Sequence, residues 1–191
     1  YVFAAVSLKC RKGRDHLNTL HPEEKYLIHL LYSVLHDTHP QEPPENLDWE
    51  KVYKLSVLHS VANMVYYGIN RLNAGQKPSC EIIKKFQHDF KKAIAKEAVQ
   101  NTSAEKLLEA FEKNQIDCMP LKGYQVKHLY PQPDMRMMAD IDILYKPDEK
   151  NLVTQLMQDS GYTLKHTGEN HDSYYREPFM NIEIHHRLIS E

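Results

Sequence analysis

The stretch Ala139-Asp140-Ile141-Asp142-Ile143-Leu144 alternates acidic and apolar side chains, and the fold turns on it. An extended strand sends residues i and i+2 to one face. Asp140 and Asp142 then project together, while Ala139, Ile141 and Ile143 point into a core. Two adjacent carboxylates repel, and the usual remedies are a bound cation or a shared proton. Further on, Asn181-Ile182-Glu183-Ile184-His185-His186 has the same alternation, with Ile182 and Ile184 on one face and Glu183 and His185 on the other. A third carboxylate on a strand of the same small sheet can converge on the aspartates. Three carboxylates suit two magnesium ions, because hard cations take oxygen ligands and complete their shells with a substrate's phosphate oxygens.

Working outward, the punctuation predicts further short elements. Ile116 to Leu121 reads as a short strand. Lys122-Gly123 then turns into a short helix through Val126 and Leu129, where backbone N–H groups and the helix dipole favour a phosphate and Lys122 adds a point charge. The strand Met138 to Tyr145 follows a loop around Pro131 and Pro133. Pro147-Asp148-Glu149 opens a helix with Leu152, Val153, Leu156 and Met157 on its apolar face, and Gly161 ends it. Tyr162 to His166 and Asn181 to His186 are candidate strands, with Asp172 to Tyr175 a weaker one.

Upstream, the period is helical. Pro22-Glu23-Glu24 starts a helix with Leu27, Leu30, Leu31, Val34 and Leu35 on one face, and the proline-rich stretch 37–44 ends it. Asp48 caps a second helix carrying Val52, Leu55 and Leu58, and a third runs through Met64, Val65, Ile69 and Leu72. A long helix is expected from about Ser79 to Asn114, with Ile83, Phe86, Phe90, Ile94 and Ala98 near its 3.6-residue period. The expected class is α+β: a helical N-terminal region over 1–114, then a small mixed-sheet core over 115–191.

Composition excludes several classes. The 191 residues carry 24 Lys+Arg against 26 Asp+Glu, so no global field marks a nucleic-acid binder, and a positive site must be local. Cys10, Cys80 and Cys118 have no CxxC spacing and an odd count, which argues against a disulfide framework or a zinc ribbon and for a reducing, cytoplasmic home. No apolar run approaches the roughly 20 residues that cross a bilayer, so no membrane partner is expected. The opening Tyr1-Val2-Phe3-Ala4-Ala5-Val6 lacks the basic flank of a signal sequence. The chain does not begin with Met, and its true N-terminus is expected to lie upstream.

Leu121-Lys122-Gly123, Leu129-Tyr130-Pro131, Arg136, Asp140-Ile141-Asp142-Ile143-Leu144 and Ile182-Glu183-Ile184-His185, in this order, resemble the uncharacterised nucleotidyltransferase-like proteins of the DNA polymerase beta superfamily. The resemblance covers about residues 45 to 191, since Trp49 and Leu58-His59-Ser60-Val61 fit the helical N-terminal pattern of that family. It implies Gly123 at a triphosphate, Asp140 and Asp142 on two Mg2+ ions (or Mn2+), and Glu183 as third metal ligand and proton acceptor. The implied reaction moves a nucleoside monophosphate from a nucleoside triphosphate to a hydroxyl acceptor, which is a small molecule, a protein or an RNA. The sequence departs from the pattern in two places. The turn reads Lys122-Gly123-Tyr124 where the superfamily carries Gly-Ser or Gly-Gly, so Lys122 stands in for the serine contact or triphosphate binding is weak. The chain also stops at Glu191, sooner than such proteins usually do, so the core is expected to be truncated at its C-terminus.

Blander readings compete at each position. Asp-x-Asp also occurs as solvated charge at strand edges, and Glu183 can serve as an edge-strand charge that discourages aggregation. Arg136 either binds phosphate bidentately or neutralises the aspartates. Only His185 of the His185-His186 pair shares the acidic face, where hydrogen bonding is favoured over zinc ligation. Lys84, Lys85, Lys91, Lys92 and Lys96 form a basic band on the long helix, read as a solvated face rather than an RNA contact. The competing whole-protein reading is a catalytically inactive binding or regulatory module on the nucleotidyltransferase fold. A metal-dependent phosphohydrolase using the same acids is a third.

Overall fold

The computed structural model describes residues 20–188. These divide into two compact units at Lys92/Ala93. Among the described residues, no helix is long and apolar enough to cross a membrane, and Cys80 and Cys118 are free thiols. The readings placed on Tyr1 to Val6 and on Cys10 lie outside the described residues.

The first unit holds helices α1 (Pro22–Leu35), α2 (Trp49–Leu58) and α3 (Ala62–Arg71). Each begins or ends where the local chemistry dictates. Pro22 occupies the first turn of α1, and the Glu24 carboxylate accepts the His21 backbone N–H at 2.8 Å. The Asp48 carboxylate accepts the Glu50 and Lys51 N–H groups at the start of α2. Leu30 and Val34 of α1 are fully buried, with Val52, Met64, Val65 and Ile69 alongside in the core. At Gly68 a Cβ would come within 3.2 Å of Leu30 Cδ2, so the absence of a side chain lets α3 approach α1. Leu58, expected on the apolar face of α2, is 75% exposed in its last turn.

Helix α4 (Cys80–Lys113) carries residues of both units. Its buried positions correct the expected stripe. Ile82, Phe86, Ala93, Gln100, Ala104, Leu107 and Phe111 are buried, whereas Ile94 is 41% exposed and Ala98 is exposed. Phe86, Ala93, Gln100 and Leu107 are spaced seven apart, a period that admits a small residue and a polar one, which an apolar-only pattern passes over.

The second unit is a five-stranded mixed sheet with helices, which fits the α+β class. Its strands are β1 (Cys118–Pro120), β2 (Ile141–Tyr145), β3 (Thr163–Thr167), β4 (His171–Arg176) and β5 (Met180–His185). They lie in the order β1-β2-β5-β4-β3, with β2 and β5 parallel and the other pairs antiparallel. The one-turn helix α5 (Lys122–Val126) follows β1, and α6 (Lys150–Asp159) joins β2 to β3. Ile141 and Ile143 of β2, Ile182 and Ile184 of β5 and Tyr174 of β4 form a core with Val153 and Met157 of α6 and Leu107 and Phe111 of α4. Gly161, at φ +80°, terminates α6 in the left-handed region.

Strand β2 is shorter than the sequence suggests, beginning at Ile141 rather than Met138. The Met138 carbonyl accepts the Lys96 ammonium at 2.6 Å and the Gln100 amide at 3.4 Å, so α4 side chains take the role of a strand partner there.

Candidate active site

The site is built on one face of the sheet by the alternation that buries the other. Parallel pairing sets Asp142 of β2 opposite Glu183 of β5, while their neighbours Ile141, Ile143, Ile182 and Ile184 enter the core. Antiparallel pairing then sets Ser173 opposite Glu183 and His171 opposite His185. Asp142 is buried, and its Oδ1 accepts from His185 Nε2 at 2.8 Å and pairs with Lys122 Nζ at 3.3 Å. Glu183 Oε2 stands 3.6 Å from His185 Nε2 and 3.8 Å from His171 Nε2. Asp140 is half-buried and precedes the first residue of β2, so it stands just outside the ladder that fixes Asp142.

The turn after β1 is tied to this strand. The Leu121 N–H donates to the Asp142 carbonyl at 2.8 Å, which holds Lys122 and Gly123 beside the acids. The left-handed residue of the turn is Lys122, at φ +40°. A non-glycine residue held there stores strain on the order of 1 kcal/mol or more. A Cβ on Gly123 would lie 3.3 Å from Met138 Sδ and 3.6 Å from Arg136 Nη2. The guanidinium of Arg136 is therefore at the glycine turn. Its Nε is buried without a hydrogen-bond partner. The cations that face Asp142 are Lys122 and, when protonated, His185.

A profile of uncharacterised nucleotidyltransferases matches residues 45–191 of this chain. The chain belongs to that family. No functionally curated protein and no solved structure matches it. Membership in this nucleotidyltransferase family suggests nucleotide transfer as the class of activity and implies a nucleoside triphosphate as the class of substrate.

The structure brings Asp142, Glu183, His185 and Lys122 to one place, with Gly123 and Arg136 adjoining each other at the turn. The sequence reading of His185 as a hydrogen-bonding neighbour of the acids holds. His171 lies near the acids in sequence, but a strand starting at Asp172 gives it no place on their face; β4 begins at His171, and the register with β5 sets it beside His185. Their rings lie 4.9 Å apart. Asp172 points the other way, opposite Ile184, and is buried with Oδ1 unpartnered and Oδ2 3.7 Å from Lys150 Nζ. On that core side, burial pushes the Tyr145 phenol up to about 12, and the charge of Asp172 adds to the shift.

Lys127 anchors the turn from behind. Its ammonium is wholly buried, donates to Glu97 Oε1 at 2.9 Å and Asn101 Oδ1 at 2.8 Å, and lies 4.4 Å from the Tyr124 ring centroid. Through these contacts α4 fixes the end of α5, and with it the segment that carries Lys122 and Gly123.

Proposed function

We propose that this family member transfers a nucleoside monophosphate from a nucleoside triphosphate to a hydroxyl acceptor, with Asp140, Asp142 and Glu183 as the acidic centre. The observation that carries this is the register pairing of Asp142 with Glu183 on adjacent parallel strands, at hydrogen-bonding distance from the turn that bears Lys122. The three carboxylates are oxygen donors of the kind that Mg2+ and Mn2+ take, and Lys122, 67% exposed, is free to swing from Asp142 to a phosphate. Asp140, Asp142 and Glu183 would hold the divalent ions, which when bound would neutralise charge on the phosphates.

The residues of the chain do the rest. The Gly123 backbone and the Arg136 guanidinium bind the triphosphate, Arg136 with the fork geometry that suits phosphate oxygens. Lys122 contributes a point charge there. Glu183 accepts the proton as the acceptor oxygen attacks the α-phosphorus. One P–O bond forms, the bond to the β-phosphate breaks, and pyrophosphate leaves with its electron pair.

The test follows label from α-labelled nucleoside triphosphates into acceptors of a cell extract, with Mg2+ present. D140N and D142N should each abolish incorporation without altering the circular dichroism spectrum; undiminished incorporation in both variants removes the acidic centre. A second reading, a nucleotide-binding or regulatory module without turnover, is favoured by the two groups already bonded to Asp142. Calorimetric binding of a nucleoside triphosphate with no label transferred to any acceptor would select it.

A further inference from the structure

We propose that His171, Glu183 and His185 form a binding site for a nitrogen-accepting divalent ion of the zinc and cobalt class. One ligand atom from each of His171, Glu183 and His185 lies within 4.8 Å of the others. The strands impose this arrangement. Glu183 and His185 are two apart on β5 and share a face, and His171 sits directly across from His185 on β4.

The spacing is that of ligands around a common ion. Donors about 2.1 Å from a tetrahedral zinc are roughly 3.4 Å from one another. Glu183 Oε2 is 3.6 Å from one imidazole Nε2 and 3.8 Å from the other, beyond the roughly 3.2 Å limit of a good hydrogen bond. Asp142 Oδ1 accepts from His185 Nε2 at 2.8 Å and orients that ring, and water takes the fourth position of a tetrahedral ion. Hydrogen bonding alone accounts for the His185–Asp142 contact, but not for two imidazoles turned toward one carboxylate oxygen.

The chemistry of the donors selects the ion. Two imidazole nitrogens and one carboxylate oxygen suit Zn2+ or Co2+, whereas Mg2+ takes oxygen and water in a strict octahedron. The site shares Glu183 with the acidic centre proposed above, yet it requires no turnover. Occupancy by such an ion gives the face a cation that the aspartate pair alone would not select.

The experiment titrates Co2+ into the metal-stripped, untagged chain and reads the visible d–d absorption of a tetrahedral site. One equivalent should bind, Zn2+ should displace it stoichiometrically, and a hundredfold excess of Mg2+ should not. Losing a first ligand should cost at least the 10–100-fold in affinity that outer partners cost, in H171A and in the gentler H171Q and H185Q, with the far-ultraviolet circular dichroism unchanged. Absorption retained in the histidine variants, an octahedral spectrum, or displacement by Mg2+ overturns the proposal. D140N separates the two readings, since Asp140 lies outside the histidine cluster. Transfer lost in D140N with Co2+ absorption intact supports both, transfer present with no Co2+ absorption sinks this site alone, and absorption present with no transfer in the native chain sinks the transferase alone.

Discussion

The Lys127–Glu97 pair offers a prediction whose magnitude follows from burial. The Lys127 side chain is 0% exposed and that of Glu97 is 15% exposed. At 2.9 Å and an effective dielectric constant of 20, their attraction is about 6 kcal/mol. Desolvating two ions costs several kcal/mol each, so the intact pair contributes little net stability. The single deletions are unequal. Glu97→Ala strands a fully buried ammonium with only Asn101 Oδ1 and the Tyr124 ring, and should cost about 3–5 kcal/mol. Lys127→Met leaves a carboxylate at the solvent boundary that can rehydrate, and should cost about 1–3 kcal/mol. The double variant K127M/E97L, with apolar groups of similar volume, should lie within about 1 kcal/mol of the native chain or above it. Urea unfolding gives these values, and E97A should lower Tm by about 6–20 °C at roughly 2–4 °C per kcal/mol. If E97A proves as mild as K127M, or if the double variant is as unstable as E97A, burial asymmetry is not what sets the energetics.

Two further outcomes concern the turn and pH. Lys122→Gly should leave stability within about 1 kcal/mol, because relief of the φ +40° strain offsets the extra chain entropy of glycine and the lost ion pair. The same change should weaken Mg2+·nucleotide binding by about tenfold in calorimetry, and an unchanged affinity would remove Lys122 from the phosphate site. The Tyr145 phenol, raised from 10 to about 12, stays protonated in the folded chain while the unfolded chain deprotonates. Its contribution is therefore complete below pH 10 and is lost as pH rises through 12, by about 1 kcal/mol at pH 11. Denaturant midpoints should fall less between pH 9 and 11 in Y145F than in the native chain, and equal losses would show that the shift is absent.

Much of the molecule was legible from alternation and punctuation. Asp140-Ile141-Asp142-Ile143 and Ile182-Glu183-Ile184-His185 each declare which side chains face a core, because a strand has period two whatever surrounds it. Pro22, Asp48 and Gly161 mark helix ends because their φ preference or capping chemistry acts locally. The ordered motifs also declared the family.

What one strand faces across a sheet is not local. Only the parallel register sets Asp142 against Glu183, and only the antiparallel register sets His171 beside His185. Only packing moves the buried stripe of α4 onto Ala93 and Gln100, hands the Met138 carbonyl to Lys96 and Gln100, and so starts β2 at Ile141. Sequence by itself determined which residues of β2 and β5 alternate between core and polar face, since that depends on neighbours two residues away, and its ordered motifs marked the family. Tertiary structure decided which charges meet, because hydrogen-bond register and burial join residues that lie tens of positions apart.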